Sequence, residues 1–498
     1  METSRRSPLP LWAFAVLTLI VALGFGLRAW HLGAEALWLD EAHSILQAKA
    51  WWKTIWVSST LAEPNPPLYF TLLKFWLQAF GDSEAAARSM SVLFGTLTIA
   101  MVFIFARRAG GTRLALAAAG IVATSPMLVI YSRDTRGYAL VILAAMVSLS
   151  GVLRLLSRLP VTREPAQPSS AGRLAWAAYV GGAVVAIYTH TTLLLLPVIA
   201  NIVAVTIWAS APRRDWQFAW RWGLANAAIL LIYLPWIPNV LGGTVASGTF
   251  WIEPVSLEAA LETVRRVYGE AYVPLQPWPD IAIATFAVAG LIVLRRSPAA
   301  LALVLGSVVL VPLLTCLVSL SHPILIPRVL LWPLPFLAVA VAAGALAIPN
   351  RALAAAMVVL IMAGQVIGLT HPQATIKHEP WRDIVAHFQR ERQPGDVLVL
   401  APSYFAMPFE YYAGRDADVL TVELWAAARP NSHWSYQVIG RDEILARVAG
   451  RRRVWLVTDS VQFLPLTDPL VAQIAPAYSL IADTRMDGLK LRLFAQRL

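Results

Sequence analysis

Cysteine is almost missing. The one thiol, Cys316, lies inside the apolar run VPLLTCLVSL, so no intramolecular disulfide can form and no cysteine-rich metal site can be built. Charge is scarce as well: 14% of the 498 residues are Asp, Glu, Lys or Arg against 58% hydrophobic, a balance that excludes a soluble globular protein of this length. The 40 Lys and Arg outnumber the 29 Asp and Glu and give a formal charge of +11. They fall in short clusters between apolar runs, with no basic face interleaved with aromatics, which argues against a nucleic-acid partner. A solenoid-type repeat is also lacking, and the only low-complexity piece is the linker LPVTREPAQPSSAG at 159–172.

What the chain does have is a succession of apolar runs, each close to the ~20 residues that span a ~30 Å hydrocarbon core. Eleven stand out, near 9–29, 86–106, 114–131, 138–157, 174–189, 191–210, 218–238, 280–294, 298–320, 328–348 and 352–370. The first follows Arg5 and Arg6 and is long enough to cross, so it reads as an uncleaved signal anchor. The segment PPLYFTLLKFWLQAF at 66–80 is short and carries Lys74 and Gln78.

Lys and Arg of short loops collect on the cytoplasmic side, and this arbitrates the topology. If 66–80 does not cross, the clusters Arg107/Arg108/Arg113, Arg154/Arg158/Arg163/Arg173, Arg213/Arg214, Arg295/Arg296 and Arg351 all lie inside with the N-terminus. If it does cross, all of them lie outside. We therefore expect 66–80 to be an interfacial helix on the outer surface. The expected protein is a multi-pass one of the plasma (inner) membrane, N-terminus cytoplasmic, with membrane lipids as its surroundings. From about 372 charge returns, and alternating runs such as DVLVLA, VLTVE and RRVWLVTDS interleave with helical stretches such as WRDIVAHFQRER. Residues 372–498 are expected to form a small extracytoplasmic α/β domain after a membrane domain of 1–371, whose first outer loop is 31–85.

With that topology the unusual polar residues gather outside: Asp40, Glu41 and His43 in WLDEAHS, Glu63 and Asn65 in AEPNPPLYF, Arg133, Asp134 and Arg136 in YSRDTRGY, Tyr188 and His190 in IYTH, and His322 and Arg328 in SHPILIPRVL. The span centres carry almost no ionisable side chain, which favours chemistry at an outer cavity over ion-coupled transport. A carboxylate there can serve as general base toward a hydroxyl. Arginines, on the side that positive-inside statistics disfavour, can hold a phosphate through a planar fork of donors.

The pieces WLDEAHS (38–44), NPPLYF (65–70), RSMSVLFG (88–95), SPMLVIYSRDTRGYAL (125–140), YTH (188–190) and PRVLLWPLP (327–335) resemble, in order, the polyprenol-phosphate-sugar-dependent glycosyltransferases of GT-C fold. That group includes protein O-mannosyltransferases and the aminoarabinose transferases that modify lipid A. WRDIVAHF (381–388) and PGDVLVLAPSY (394–404) resemble the outer C-terminal domain of its short bacterial members. The resemblance implies an all-α polytopic domain of GT-C type and transfer of a sugar from a polyprenyl phosphate to a hydroxyl of a glycan, lipid or protein. It implies Asp40 as catalytic carboxylate with Glu41 its neighbour, and Arg133, Arg136 and Arg328 near the lipid phosphate. The chain departs from the pattern at Asn65, where many relatives have His or Lys before ProPro, and at Glu63, one residue further upstream than expected.

Plainer readings stand beside these. Asp40 can cap the helix that follows, and Glu41 can support its dipole. Tyr188 and His190 can be interfacial residues, and one of Arg133 and Arg136 can snorkel. Asp40, Glu63 and the histidines show no zinc-ligand spacing, so no cofactor or metal is expected. A lipid-linked-sugar flippase or transporter is the alternative function, and a non-catalytic assembly subunit a third.

Overall fold

The computed structural model describes residues 8–58, 65–157, 159, 170–241, 255–269, 278–370, 379–416, 418–423, 437–440, 443–459 and 470–497. Its first ten helices are α1 (Leu11–Ala29), α2 (Leu39–Lys49), α3 (Leu68–Phe80), α4 (Glu84–Gly110), α5 (Thr112–Thr124), α6 (Pro126–Ser132), α7 (Tyr138–Leu156), α8 (Ser170–Ile187), α9 (Leu195–Ala209) and α10 (Trp216–Tyr233). Apolar helices follow at Trp278–Leu294, Pro298–Ser319, Leu334–Ala345 and Arg351–Leu369. Among the described residues seven helices are long and apolar enough to cross a membrane, and the bent pair of α5 and α6 makes an eighth. The other three expected spans are occupied by shorter apolar helices. At 13 residues, α3 covers about 20 Å, short of a hydrocarbon core.

The chain divides into two compact units: described residues 8–30, 65–69 and 88–370 form one, and 31–58, 70–87 and 379–497 the other.

In the first unit the outward faces carry Leu230, Leu231, Val288, Val359 and Leu360, all more than half exposed, as lipid-facing side chains must be. Between helices the packing is close and polar. A Cβ on Gly290 would lie 1.8 Å from Ala340 O, and one on Gly344 1.9 Å from Phe286 O, so two backbones meet where small residues allow it. Since backbone cannot yield as a side-chain tip can, Gly290→Ala should lower stability by about 1–3 kcal/mol, read as an earlier thermal transition in detergent. Asn226 joins α8, α9 and α10: its Oδ1 accepts from Tyr179 Oη and Asn201 Nδ2 (both 2.9 Å), while Asn201 Oδ1 accepts from Trp222 Nε1 (2.7 Å).

The run read as one span at 114–131 is broken. Ser125 ends α5 and caps α6, its hydroxyl accepting from Leu128 N (3.4 Å), and Pro126 starts the new helix with a 59° bend. A break at that depth strips the last carbonyls of α5 of helical partners. Arg28, 1% exposed, fills the gap: it donates to Ala123 O (2.9 Å), Val122 O (3.2 Å), Gly24 O (2.9 Å) and Ser132 Oγ (3.3 Å).

The second unit contains an α/β fold of the expected class. Its sheet runs β3 (Gln437–Gly440), β2 (Val419–Glu423), β1 (Val397–Ala401), β4 (Arg453–Asp459), β6 (Leu489–Gln496), β5 (Tyr478–Met486), with the first four parallel and β6 antiparallel to both neighbours. Every residue of β1 is buried, because helices cover both faces of the parallel part. Trp381, Ile384 and Phe388 cover one face, and Ile444, Val448 and Ile474 pack on the other. Asp396, 2% exposed, is neutralised by Arg453 (3.4 Å) and accepts from Trp455 Nε1 (2.8 Å) and Gln393 N (2.9 Å). The hairpin β5–β6 turns at Asp487 and Gly488, both at positive φ, as an Asp-Gly tight turn requires.

Candidate functional site

In the first unit, four of the quoted pieces converge. Leu68 N donates to Tyr188 O (3.1 Å), and the Tyr69 hydroxyl lies 3.5 Å from Ser91 Oγ, which reaches Arg136 O at 3.4 Å. A Cβ on Gly137 would meet Thr189 Cγ2 at 2.8 Å and Tyr69 at 3.6 Å. Residues 65–69, 88–95, 133–140 and 188–190 are thus interlocked. The turn between α6 and α7 holds Asp134 at 1%, Thr135 at 0% and Arg136 at 8% exposure, while Arg133 is half-buried at the end of α6. A charged turn buried this deeply is costly unless its groups are paired or used.

Beside it lies a small cleft lined by Tyr138, Val141, Ile142, His190, Thr192, Leu193, Arg328, Val329, Leu331 and Trp332. The 3₁₀ turn Pro327–Leu330 presents Arg328. His190 caps the turn Thr191–Leu194: its Nδ1 accepts from Thr192 N (3.3 Å), so the neutral ring carries its proton on Nε2. Tyr138 packs against His190 at 6.0 Å and edge-on to Tyr131 at 5.3 Å. Trp332 is 2% exposed, and its indole N–H finds no acceptor among the described residues. An apolar wall with a guanidinium, an imidazole and an idle N–H donor is suited to an anionic group on an apolar body.

Of the expected binding residues, Arg328 and His190 line the cleft, and Arg133 and Arg136 sit in the turn preceding Tyr138, which also lines it. Tyr188 does not line it: its hydroxyl donates to Ile232 O (2.6 Å) and its ring packs on Tyr233 at 5.4 Å. Asn65 is half-buried ahead of buried Pro66 and Pro67, and Glu63 lies outside the described residues. His322 is exposed beside Ser321. Tyr138 and Trp332 were not singled out from sequence; an indole N–H without a partner is invisible there.

In the second unit α2 carries the acidic pair in its first turn. Asp40 is half-buried, Glu41 1% exposed, so the two acids are inequivalent. Asp40 is not the N-cap. That position is Trp38, which offers no side-chain acceptor, and the Leu39 N–H is bound instead by Glu379 Oε2 (2.9 Å). His43 Nδ1 lies 3.2 Å from Met407 Sδ. At the far end of α2, Lys49 pairs with Asp82 (2.5 Å), a hydrogen bond that holds the Asp82 carboxyl below its usual range. Among the described residues no three of His, Cys, Asp and Glu are grouped to hold a metal ion.

Comparison with known proteins agrees with this architecture. A family model for dolichyl-phosphate-mannose-protein mannosyltransferase matches residues 64–238. No curated protein matches the chain in sequence. The structure is similar to that of ArnT from Cupriavidus metallidurans in the apo state, with a TM-score of 0.66 at 15% identity, covering 97% of each chain. The same protein bound to undecaprenyl phosphate gives 0.64 at 15% identity, over 97% of this chain and 98% of that one. The Archaeoglobus fulgidus oligosaccharyltransferase in the apo form gives 0.61 at 13% identity, over 98% of this chain and 75% of that one. The fold is therefore that of the GT-C glycosyltransferases, a helical multi-pass membrane domain with an appended sheet domain.

Proposed function

We propose that this protein is an integral-membrane glycosyltransferase that moves a sugar from a polyprenyl phosphate to a hydroxyl of a cell-envelope glycan, lipid or protein. The observation that carries this reading is the cleft, where Arg328, His190 and a Trp332 N–H without an acceptor among the described residues line apolar walls. The matched mannosyltransferase family and the likeness to a protein crystallised with undecaprenyl phosphate support it. The charge distribution of the loops supports a site on the outer face of the plasma membrane, with the N-terminus inside and residues 372–498 outside.

In the proposed reaction Asp40 removes the acceptor hydroxyl proton as that oxygen attacks the anomeric carbon from the face opposite the phosphate. The bond between anomeric carbon and phosphate oxygen breaks, and the lipid phosphate leaves with the electron pair. Arg328, aided by Arg133 and Arg136, meets the charge that grows on it. This stereochemistry inverts the anomeric centre. Glu63 and Asn65 would belong to the substrate-binding residues as well.

Charge-assisted hydrogen bonds contribute about 1.5–3 kcal/mol, so Arg328→Ala should raise the KM for a lipid-linked sugar roughly 10- to 150-fold. Arg328→Lys should recover part of this, because an ammonium keeps the charge without the fork. The measurement is donor titration of purified enzyme in nanodiscs; an unchanged KM in both variants would remove Arg328 from the donor site.

A further inference from the structure

α2 begins without a cap of its own, and the backbone leading into it is held by residues far along the chain. Glu379 Oε2 accepts from Leu39 N (2.9 Å) and from Trp381 Nε1 (3.0 Å), so the carboxylate that receives the helix is itself tied to a fully buried residue of the sheet domain's core. Leu37 N donates to Tyr412 Oη (2.7 Å), and that hydroxyl donates to Glu84 Oε1 (3.1 Å). Burial pushes the Tyr412 phenol up, which keeps it a neutral donor. Arg382 pairs with Glu84 (2.6 Å) and donates to Gly33 O and Ala34 O (both 3.3 Å). The Glu84 hydrogen bond also raises the Arg382 guanidinium. Gly33, Ala34, Leu37 and Leu39, four of the seven positions just ahead of Asp40, are thus each bound by a side chain from residues 379–412.

The first N–H groups of a helix need acceptors, and an acid is the best of them electrostatically. Here that acid comes from another part of the chain. We infer that Glu379, seconded by Tyr412, is a positioning residue: it caps the Asp40 helix from the sheet domain and fixes where the Asp40 carboxylate is held. The inference rests on Asp40 being the base. It gives the sheet domain a part in the reaction without contact to substrate.

The test pairs two readouts on the full-length protein in nanodiscs. Amide exchange of peptides covering 36–42 reports the cap directly, and steady-state transfer reports its use. Glu379→Ala should raise exchange in 36–42 while peptides over β1 stay protected, and kcat should fall on the order of 10- to 100-fold with donor KM unchanged. Glu379→Gln keeps an acceptor oxygen in place and should restore both readouts. Tyr412→Phe, which keeps the ring and removes the hydroxyl, should show the same pattern at smaller amplitude. The inference is overturned if Glu379→Ala leaves 36–42 protected, if kcat falls without that change in exchange, or if Gln behaves as Ala. Should Asp40→Asn keep transferring sugar, the base assignment fails while the exchange result on the cap stands by itself.

Discussion

Asp40→Asn should lower sugar transfer by roughly 10²- to 10⁴-fold while leaving the protein folded, the range expected when a general base is removed. Asn keeps the size of Asp, and the position is half-buried inside the first turn of α2, where Asn costs little. Loss of transfer would therefore report chemistry and not packing. The acidic neighbour supplies the contrast. Glu41 is 1% exposed, so Glu41→Gln should show its effect first in thermal stability and only secondarily in kcat. The decisive measurement is single-turnover consumption of a lipid-linked sugar by purified protein in nanodiscs. If Asp40→Asn consumes donor at the wild-type rate, the base assignment fails and a lipid-linked-sugar flippase becomes the better account.

Replacing Arg28 by Leu should destabilise the membrane unit by about 3–5 kcal/mol, the cost of breaking a buried charged network from one side. The guanidinium spreads its donors over three backbone carbonyls and one hydroxyl at the point where α5 stops and α6 begins. Without it, Val122 O and Ala123 O face an apolar surrounding with no donor. Arg28→Lys should recover part of the loss, since a single ammonium reaches fewer of these acceptors. Thermal unfolding followed by size-exclusion fluorescence would show it, and a Leu variant that melts with wild type would show that the break is held by packing alone. Because α6 leads directly into Arg133–Arg136, the Leu variant should also weaken donor binding at temperatures where it is still folded.

The helical domain and the α/β class of residues after 372 were legible because both rest on periodicity: long apolar runs in one case, short alternating ones bounded by Pro-Gly in the other. The bend at Ser125–Pro126 was not foreseen, since the surrounding composition stays apolar through it and only its partner, Arg28, is out of place. A lone arginine one residue from the end of an apolar run reads as a snorkelling side chain; buried against a broken helix it is something else. For the site, motif order pointed to Arg328 and His190, which line one cleft, and to Tyr188, whose hydroxyl is used up on Ile232 O. Tyr138 and Trp332 carry no charge to attract notice. The plainer reading of Asp40 as an N-cap does not hold, because it looks for the cap only next door in sequence and the acceptor stands at Glu379.

That separation has a temporal side. Leu39 and Glu379 are 340 positions apart. At about 5–20 residues per second, the ribosome needs roughly 20–70 s to make the second after the first. During all that time the membrane helices are being inserted, and the acid-bearing helix is without its acceptor. The unit that contains Asp40 is completed only after residues 379–412 emerge, so molecules cut short of them would hold the described membrane helices and leave the Asp40 helix without its acceptor.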